Sequence, residues 1–295
     1  MKKMKQLNML MLAVLISTAA FAQEDSASAR KSDTMRIGNI VIIKKGKKFG
    51  SDHSIDDMGR KNFERKQKSR ISTNWLVVDL GFSNYDDRTD YGNTGNYLVN
   101  NPAPGSPALS KSDFKLRAGK SVNVNVWLFM QQVNLIKKNV NLKYGLGVEL
   151  NNYRYKSAIS YKEGGVLPYN LGLTNAPYVF RDSISFSKNK LALDYLTVPV
   201  MLNFATTPKY NRSGLSLSVG VSAGYLYSQR NKQKSDVRGK LKNNGDYDIE
   251  KFKFSYIAEL GIGPVRFYGS YSPRSIYEHS MDVRPYNFGL RLGYW

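Results

Sequence analysis

Residues 215–227 read LSLSVGVSAGYLY. Leu215, Leu217, Val219, Val221, Ala223, Tyr225 and Tyr227 share one side of a period of two; Ser216, Ser218, Gly220, Ser222 and Gly224 share the other. Such alternation marks a β-strand with two unlike faces. The small face is the informative one. A strand face turned to open water favours Thr, Lys and Glu, since interior glycine weakens a strand. Serine and glycine suit a place where space is short. The stretch predicts a strand whose apolar side meets lipid and whose small side meets a narrow interior.

Seven further runs repeat the pattern, at 76–82, 122–130, 140–150, 196–204, 252–260, 265–271 and 286–294. In the second, Val122, Val124, Val126, Leu128 and Met130 are the outward set, with Asn123 and Asn125 between them. The connections alternate long, short, long along the chain, which outer-membrane barrels do because their periplasmic turns are short and their outer loops long. An open sheet edge would strand backbone groups in hydrocarbon, so the sheet must close. The expected fold is all-β, an eight-stranded antiparallel up-and-down transmembrane β-barrel over residues 71–295, with both chain ends periplasmic. An eight-stranded lumen is filled by side chains, here Trp127, Phe129, Tyr195 and Tyr268, so large solutes are expected not to pass. A tight turn at 262–263 puts Glu259 opposite Arg266, and closure of the first strand on the last puts Asp79 beside Arg291; both ion pairs point into the lumen. Pro199 removes a ladder donor and predicts a bulge.

Lys2, Lys3 and Lys5 precede a short apolar stretch at 9–16 and the tripeptide Ala20-Phe21-Ala22. Residues 1–22 are read as a secretory signal peptide. Residues 23–70 are polar and basic around one apolar stretch at 37–43. That composition predicts a largely disordered periplasmic segment, with a short hairpin or a strand that docks on a partner's sheet edge as the alternative.

The 295-residue chain carries 44 Lys and Arg against 23 Asp and Glu, a formal charge of +21, with no cysteine and two histidines. Thiolate metal sites, disulfides and cysteine nucleophiles are excluded, and no cofactor is expected. Export argues against nucleic acid as the partner of the positive charge. Arg230, Lys232, Lys234, Arg238, Lys240 and Lys242 concentrate in one outer loop; their expected counter-charge is lipopolysaccharide phosphate. His279 lies near Ser275, Ser280 and Asp282, the best constellation for nucleophilic chemistry, although sequence proximity does not encode the geometry that chemistry needs. Asp86, Asp87 and Asp90 fall short of a complete calcium loop. Asp25-Ser26-Ala27, Asp33-Thr34-Met35 and Asp182-Ser183-Ile184 look like a three-residue O-glycosylation site.

The last strand, NFGLRLGYW, resembles the C-terminal signal read by the outer-membrane barrel assembly machinery, with Asn287, Gly289, Leu292 and Tyr294 in its positions and Trp295 added after the aromatic. NWLVVDLGFSNY from residue 74 and LDYLTVPVMLNF from residue 193 resemble the PorT-like outer-membrane β-barrel family of Bacteroidetes; Leu196, Val198, Pro199 and Leu202 carry its Leu-x-x-Pro strand. The resemblance implies the barrel more than a function. The expected role is a non-enzymatic outer-membrane protein with long outer loops, structural or surface-interacting, whose partners are outer-membrane lipids, lipopolysaccharide, the assembly machinery and a periplasmic or surface protein. A narrow transport pore or a secretion or gliding accessory is the first alternative, and a loop-based hydrolase the second.

Overall fold

A computed structural model of the protein describes residues 34–37, 40–43, 70–100, 107–136, 139–169, 172–206 and 214–293. The chain divides into two compact units, Met1–Arg65 and Lys66–Trp295. In the first, Thr34–Ile37 and Ile40–Ile43 pair as an antiparallel hairpin, Thr34 opposite Ile43 and Ile37 opposite Ile40. The signal peptide, the remainder of residues 23–69, Tyr294, Trp295 and the triplets at Asp25 and Asp33 lie outside the described residues, apart from the hairpin backbone.

Among the described residues of the second unit, eight strands form a ring: β1 (Ile71–Asp87), β2 (Val122–Ile136), β3 (Val140–Arg154), β4 (Lys188–Ala205), β5 (Leu215–Ser235), β6 (Phe252–Ile262), β7 (Val265–Tyr271) and β8 (Val283–Leu292). Each pairs antiparallel with the next, and β8 returns to β1, from Val283 opposite Asp87 to Leu292 opposite Val78. The sheet closes into a ring, and a closed sheet has no edge to leave unpaired.

Alternation sorts the wall as the sequence predicts. Leu202, Val219, Phe254, Phe267, Phe288 and Leu290 are exposed outside, while Asn203, Ser218, Ser255, Asn287 and Arg291 are buried inside. Water would not hold so continuous an apolar exterior; acyl chains would.

One-residue insertions reset this alternation. Leu76 has a left-handed backbone (φ 55°), and Leu128 is the extra residue of a bulge between Trp127 and Phe129. An inserted residue moves every later side chain to the other face. Phe129 therefore leaves the lumen and meets the outward Trp75 edge to face at 6.1 Å. Met130, expected outside, is fully buried inside. Pro199 makes no bulge. It stays in register with Ser222 of β5, and only the pairing toward β3 lapses at Val198 and Pro199.

The β6–β7 turn is Gly263-Pro264, with Ile262 opposite Val265. Gly263 supplies a left-handed φ of 57° at the first central position, the conformation a type II′ hairpin asks of glycine. The register is thereby two residues from the expected one. Glu259 faces Tyr268, and Arg266 faces Gly261.

The long connections fold over one end of the ring. Leu98–Val99, Tyr178–Arg181 and Ile159–Lys162 form a three-stranded sheet. Gly165–Val166 pairs with Leu173–Thr174, and Gly239–Asn244 extends the wall beside β5. The basic loop expected after residue 229 is thus the continuation of β5 and this added strand.

Candidate functional site

Among the described residues, four cations and three carboxylates sit in the lumen. Arg291 Nε and Nη2 donate to Asp79 at 2.7 and 2.8 Å, a planar two-point match, and Arg291 Nη1 donates to Glu259 Oε2 at 2.6 Å. Glu259 Oε1 also receives Lys143 Nζ at 2.9 Å and Arg266 Nη1 at 3.0 Å. Asp79 and Arg291 are directly opposed across the β1–β8 seam. Arg266 reaches Glu259 diagonally, from two residues along β7. Lys253 pairs with Glu149, and its ammonium stands 5.2 Å from the Tyr195 ring centroid.

Neutral side chains finish the network. Trp127 Nε1 and Asn125 Nδ2 donate to Asp79 at 2.8 and 3.2 Å. Asn151 and Asn287 donate to Glu149 at 3.0 and 3.3 Å, and Tyr268 donates to Asn123. Isolated charges in such a place would be expensive; these are paired and hydrogen-bonded, the condition under which buried charges persist.

The small residues make room for the large ones. Gly81 and Gly289 face each other, and a Cβ on Gly81 would lie 2.4 Å from the Tyr268 hydroxyl. A Cβ on Gly147 would lie 2.6 Å from Trp127 Cε3. A void of about 20 Å3 remains beside Asp79, Trp127, Met201, Tyr268 and Arg291, on the order of one water.

Above this polar section the interior turns aromatic. Tyr97, Phe114, Tyr153, Tyr155, Tyr161, Tyr195, Tyr247 and Tyr277 pack with Leu98, Ile159, Val179, Leu191, Leu193 and Ile249 in one buried cluster. Tyr161 shares hydrogen bonds with Tyr155 at 2.6 Å and Tyr277 at 2.8 Å, and Tyr97 donates to the Tyr247 carbonyl at 2.8 Å. Burial pushes the Tyr97, Tyr155, Tyr161 and Tyr277 hydroxyls well above the usual phenol range, and Tyr247 up to about 12. Arg181 clamps Asp113 with two N–H groups at 2.8 Å from Nη2 and 3.1 Å from Nε, tying the first long connection to the second. This cap was not anticipated from the sequence. Its signal was the concentration of tyrosine and aliphatic residues in segments expected to be solvated loops.

The loop candidates are drawn into the cap's own bonding. His279 Nδ1 lies 3.0 Å from Asp248 Oδ1. The other Asp248 oxygen accepts the Ser280 hydroxyl at 2.6 Å and the Ser280 N–H at 3.0 Å. The Ser275 hydroxyl donates to the Met281 carbonyl, and Asp282 pairs with Arg284. Among the described residues, no serine hydroxyl is hydrogen-bonded to the His279 ring. Asp248, Glu278 and His279 bring ligand atoms within 4.8 Å of one another, the one such group among the described residues. Asp86 is paired with Arg88, Asp87 accepts from Thr89 and Tyr91, and Asp90 accepts the Gly92 N–H, so these three carboxylates do not converge. Asp182 is buried against Ser160 and Arg238 beneath the exposed Ser183.

Of the six basic loop residues, Arg230 pairs with Asp194 and Arg238 with Asp182; Lys232, Lys234, Lys240 and Lys242 stand on the outer surface with no ion pair among the described residues. In the last strand Asn287 and Gly289 serve lumen packing, and Leu292 faces outward.

A family model described as outer membrane protein beta-barrel domain matches residues 67–274, a span that takes in β1 to β7 and leaves the closing strand to the structure. No curated protein matches the chain.

Proposed function

We propose, from the premise that the chain belongs to the outer membrane protein beta-barrel domain family, that it is a sealed, non-enzymatic barrel whose working surface is its folded outer cap. The observation that carries this reading is the double closure of the interior. A charge-paired, side-chain-filled lumen underlies an aromatic plug, and the void between Asp79 and Tyr268 is on the order of one water. A barrel that conducts solutes keeps a water-filled channel; this interior has none among the described residues. Within the family we place the chain in the PorT-like group, on the stretches from residues 74 and 193. Both chain ends then lie in the periplasm, with the cap outside. Its partners are the membrane lipids, the barrel assembly machinery and a protein ligand of the cap. Planar-bilayer recording tests the reading. The expected result is no steady single-channel current, and a stable conductance from the folded, capped protein would overturn it.

A further inference from the structure

The outer wall carries cations in two cross-strand rows. Arg154 is directly opposite Lys190, Lys190 opposite Lys232, and Lys232 opposite Lys242, four positive residues side by side across four strands. Two positions on, Lys188 is opposite Lys234, and Lys234 opposite Lys240. Asn189 and Gln233, between the rows, and Asn231, on the other side of the first row, are buried inward, so both rows face out. None of the six lysines forms an ion pair in the described residues. Like charges set directly opposite on a sheet face are destabilising. Burial and the positive neighbours lower Lys190 to about 8 and hold Lys232 below its ordinary value. The arrangement spends stability unless an anion arrives.

Height along the wall identifies the anion. Tyr227 is the last outward aromatic of β5, and Lys232 lies five residues on. At about 3.3 Å per residue and a tilt near 40°, the rows stand roughly 12 Å above it. A simple phospholipid headgroup layer is only about 6 Å thick on each side. A sugar headgroup bearing phosphates is taller and reaches the rows.

We propose that the outer wall formed by β3, β4, β5 and the Gly239–Asn244 strand is a docking surface for the phosphates of an anionic glycolipid headgroup in the surrounding membrane. The proposal rests on the reading of the chain as a membrane barrel with its cap outside. It replaces a diffuse basic loop by seven residues in register, with Arg154, Lys188 and Lys190 as members that sequence proximity does not reveal.

The test uses the full-length protein in mixed micelles, with a bis-phosphorylated acyl glucosamine disaccharide as probe. Its dephosphorylated form and inorganic pyrophosphate are the comparison ligands. The wild type is expected to bind the phosphorylated glycolipid at least about tenfold more tightly than either. Lys190→Gln/Lys232→Gln/Lys242→Gln should remove that preference, and Lys188→Gln/Lys234→Gln/Lys240→Gln should weaken it. Lys115→Gln/Lys120→Gln/Lys162→Gln, with the same charge change elsewhere on the cap, should keep it. Without glycolipid the first variant should melt no lower than the wild type, because repulsion has been relieved. Equal binding of the dephosphorylated glycolipid, equal retention in the variants, pyrophosphate binding as tight as the glycolipid, or a lower melting temperature would each overturn the proposal. Such a failure leaves the sealed barrel standing, whereas a conducting lumen would sink the sealed reading and leave both the barrel and its glycolipid preference untouched.

Discussion

The lower lumen and the upper cap are both buried interiors of one closed sheet, and they are built from opposite materials. Inside the lower section lie Asp79, Lys143, Glu149, Glu259 and Arg291; inside the cap lie Tyr97, Tyr155, Tyr161, Tyr247 and Tyr277. β4 passes through both. Its lower inward residues include Thr197 and Asn203 and its outward ones Val198, Val200, Leu202 and Phe204; higher up, Leu191, Leu193 and Tyr195 turn in and Lys188 and Lys190 turn out. β5 makes the same exchange with the help of an inserted residue, for Tyr195 pairs with Leu226 and Asp194 with Ser228, leaving Tyr227 as the extra one. The lesson is that the solvent outside the wall sets what goes inside. Where acyl chains take the apolar side chains, the interior must be polar and self-paired. Where water surrounds the wall, the hydrophobic effect draws the apolar groups back in.

The sharpest way to break this comparison is Arg291→Met. It strips Asp79 of its two-point partner and Glu259 of one of three cations. Breaking a buried pair from one side costs about 3–5 kcal/mol. The expected result is a large fall in the melting temperature of the detergent-solubilised barrel, with lower yield of the heat-modifiable folded form. A barrel that melts like the wild type would mean that the lumen is held by packing, as the cap is.

Tyr161→Phe probes the other region. It removes the hydroxyl between Tyr155 and Tyr277 while keeping the ring. The loss of buried hydrogen bonds is worth roughly 1–2 kcal/mol. Faster proteolysis in the cap, with the barrel fragment still protected, is the expected pattern. Equal destabilisation of cap and barrel would show that they melt as one.

The smallest effect is electrostatic and lies at the surface of the cap. The hydrogen bond and charge of Asp248 raise the His279 pKa above its ordinary value. A group whose folded pKa is raised contributes stability below its unfolded pKa, near 6.5, and loses it as pH rises through the folded one. His279 is exposed, so solvent screens the gain. Proton NMR should find the His279 titration above that of free histidine, and Asp248→Asn should return it. A His279 that titrates normally in the wild type would remove Asp248 from the account.

The resets of alternation separate what was readable from what was not. The eight runs, their outward face and the long–short connections are local patterns, visible because lipid contact imposes them strand by strand. The insertion at Leu128 is invisible locally, since Leu128 and Met130 look like more of the same period. Only the pairing with β3 shows that one residue is surplus. The Gly263-Pro264 turn likewise moved Glu259 from opposite Arg266 to opposite Tyr268, yet the two charges remain 3.0 Å apart because a long arginine spans the diagonal. Ion partners in a confined lumen are thus less sensitive to register than ladder partners are.

By itself the sequence determined that this chain makes a closed sheet, and which face of each strand meets the membrane up to the inserted residues, because a period of two and the avoidance of open edges leave little choice. Tertiary structure alone decided that the long connections fold into a tyrosine-rich lid, that three carboxylates share four cations, and that seven distant cations line up in two rows. Those outcomes depend on cross-strand register, which comes from turns, insertions and ring closure acting together and is written in no single stretch of residues.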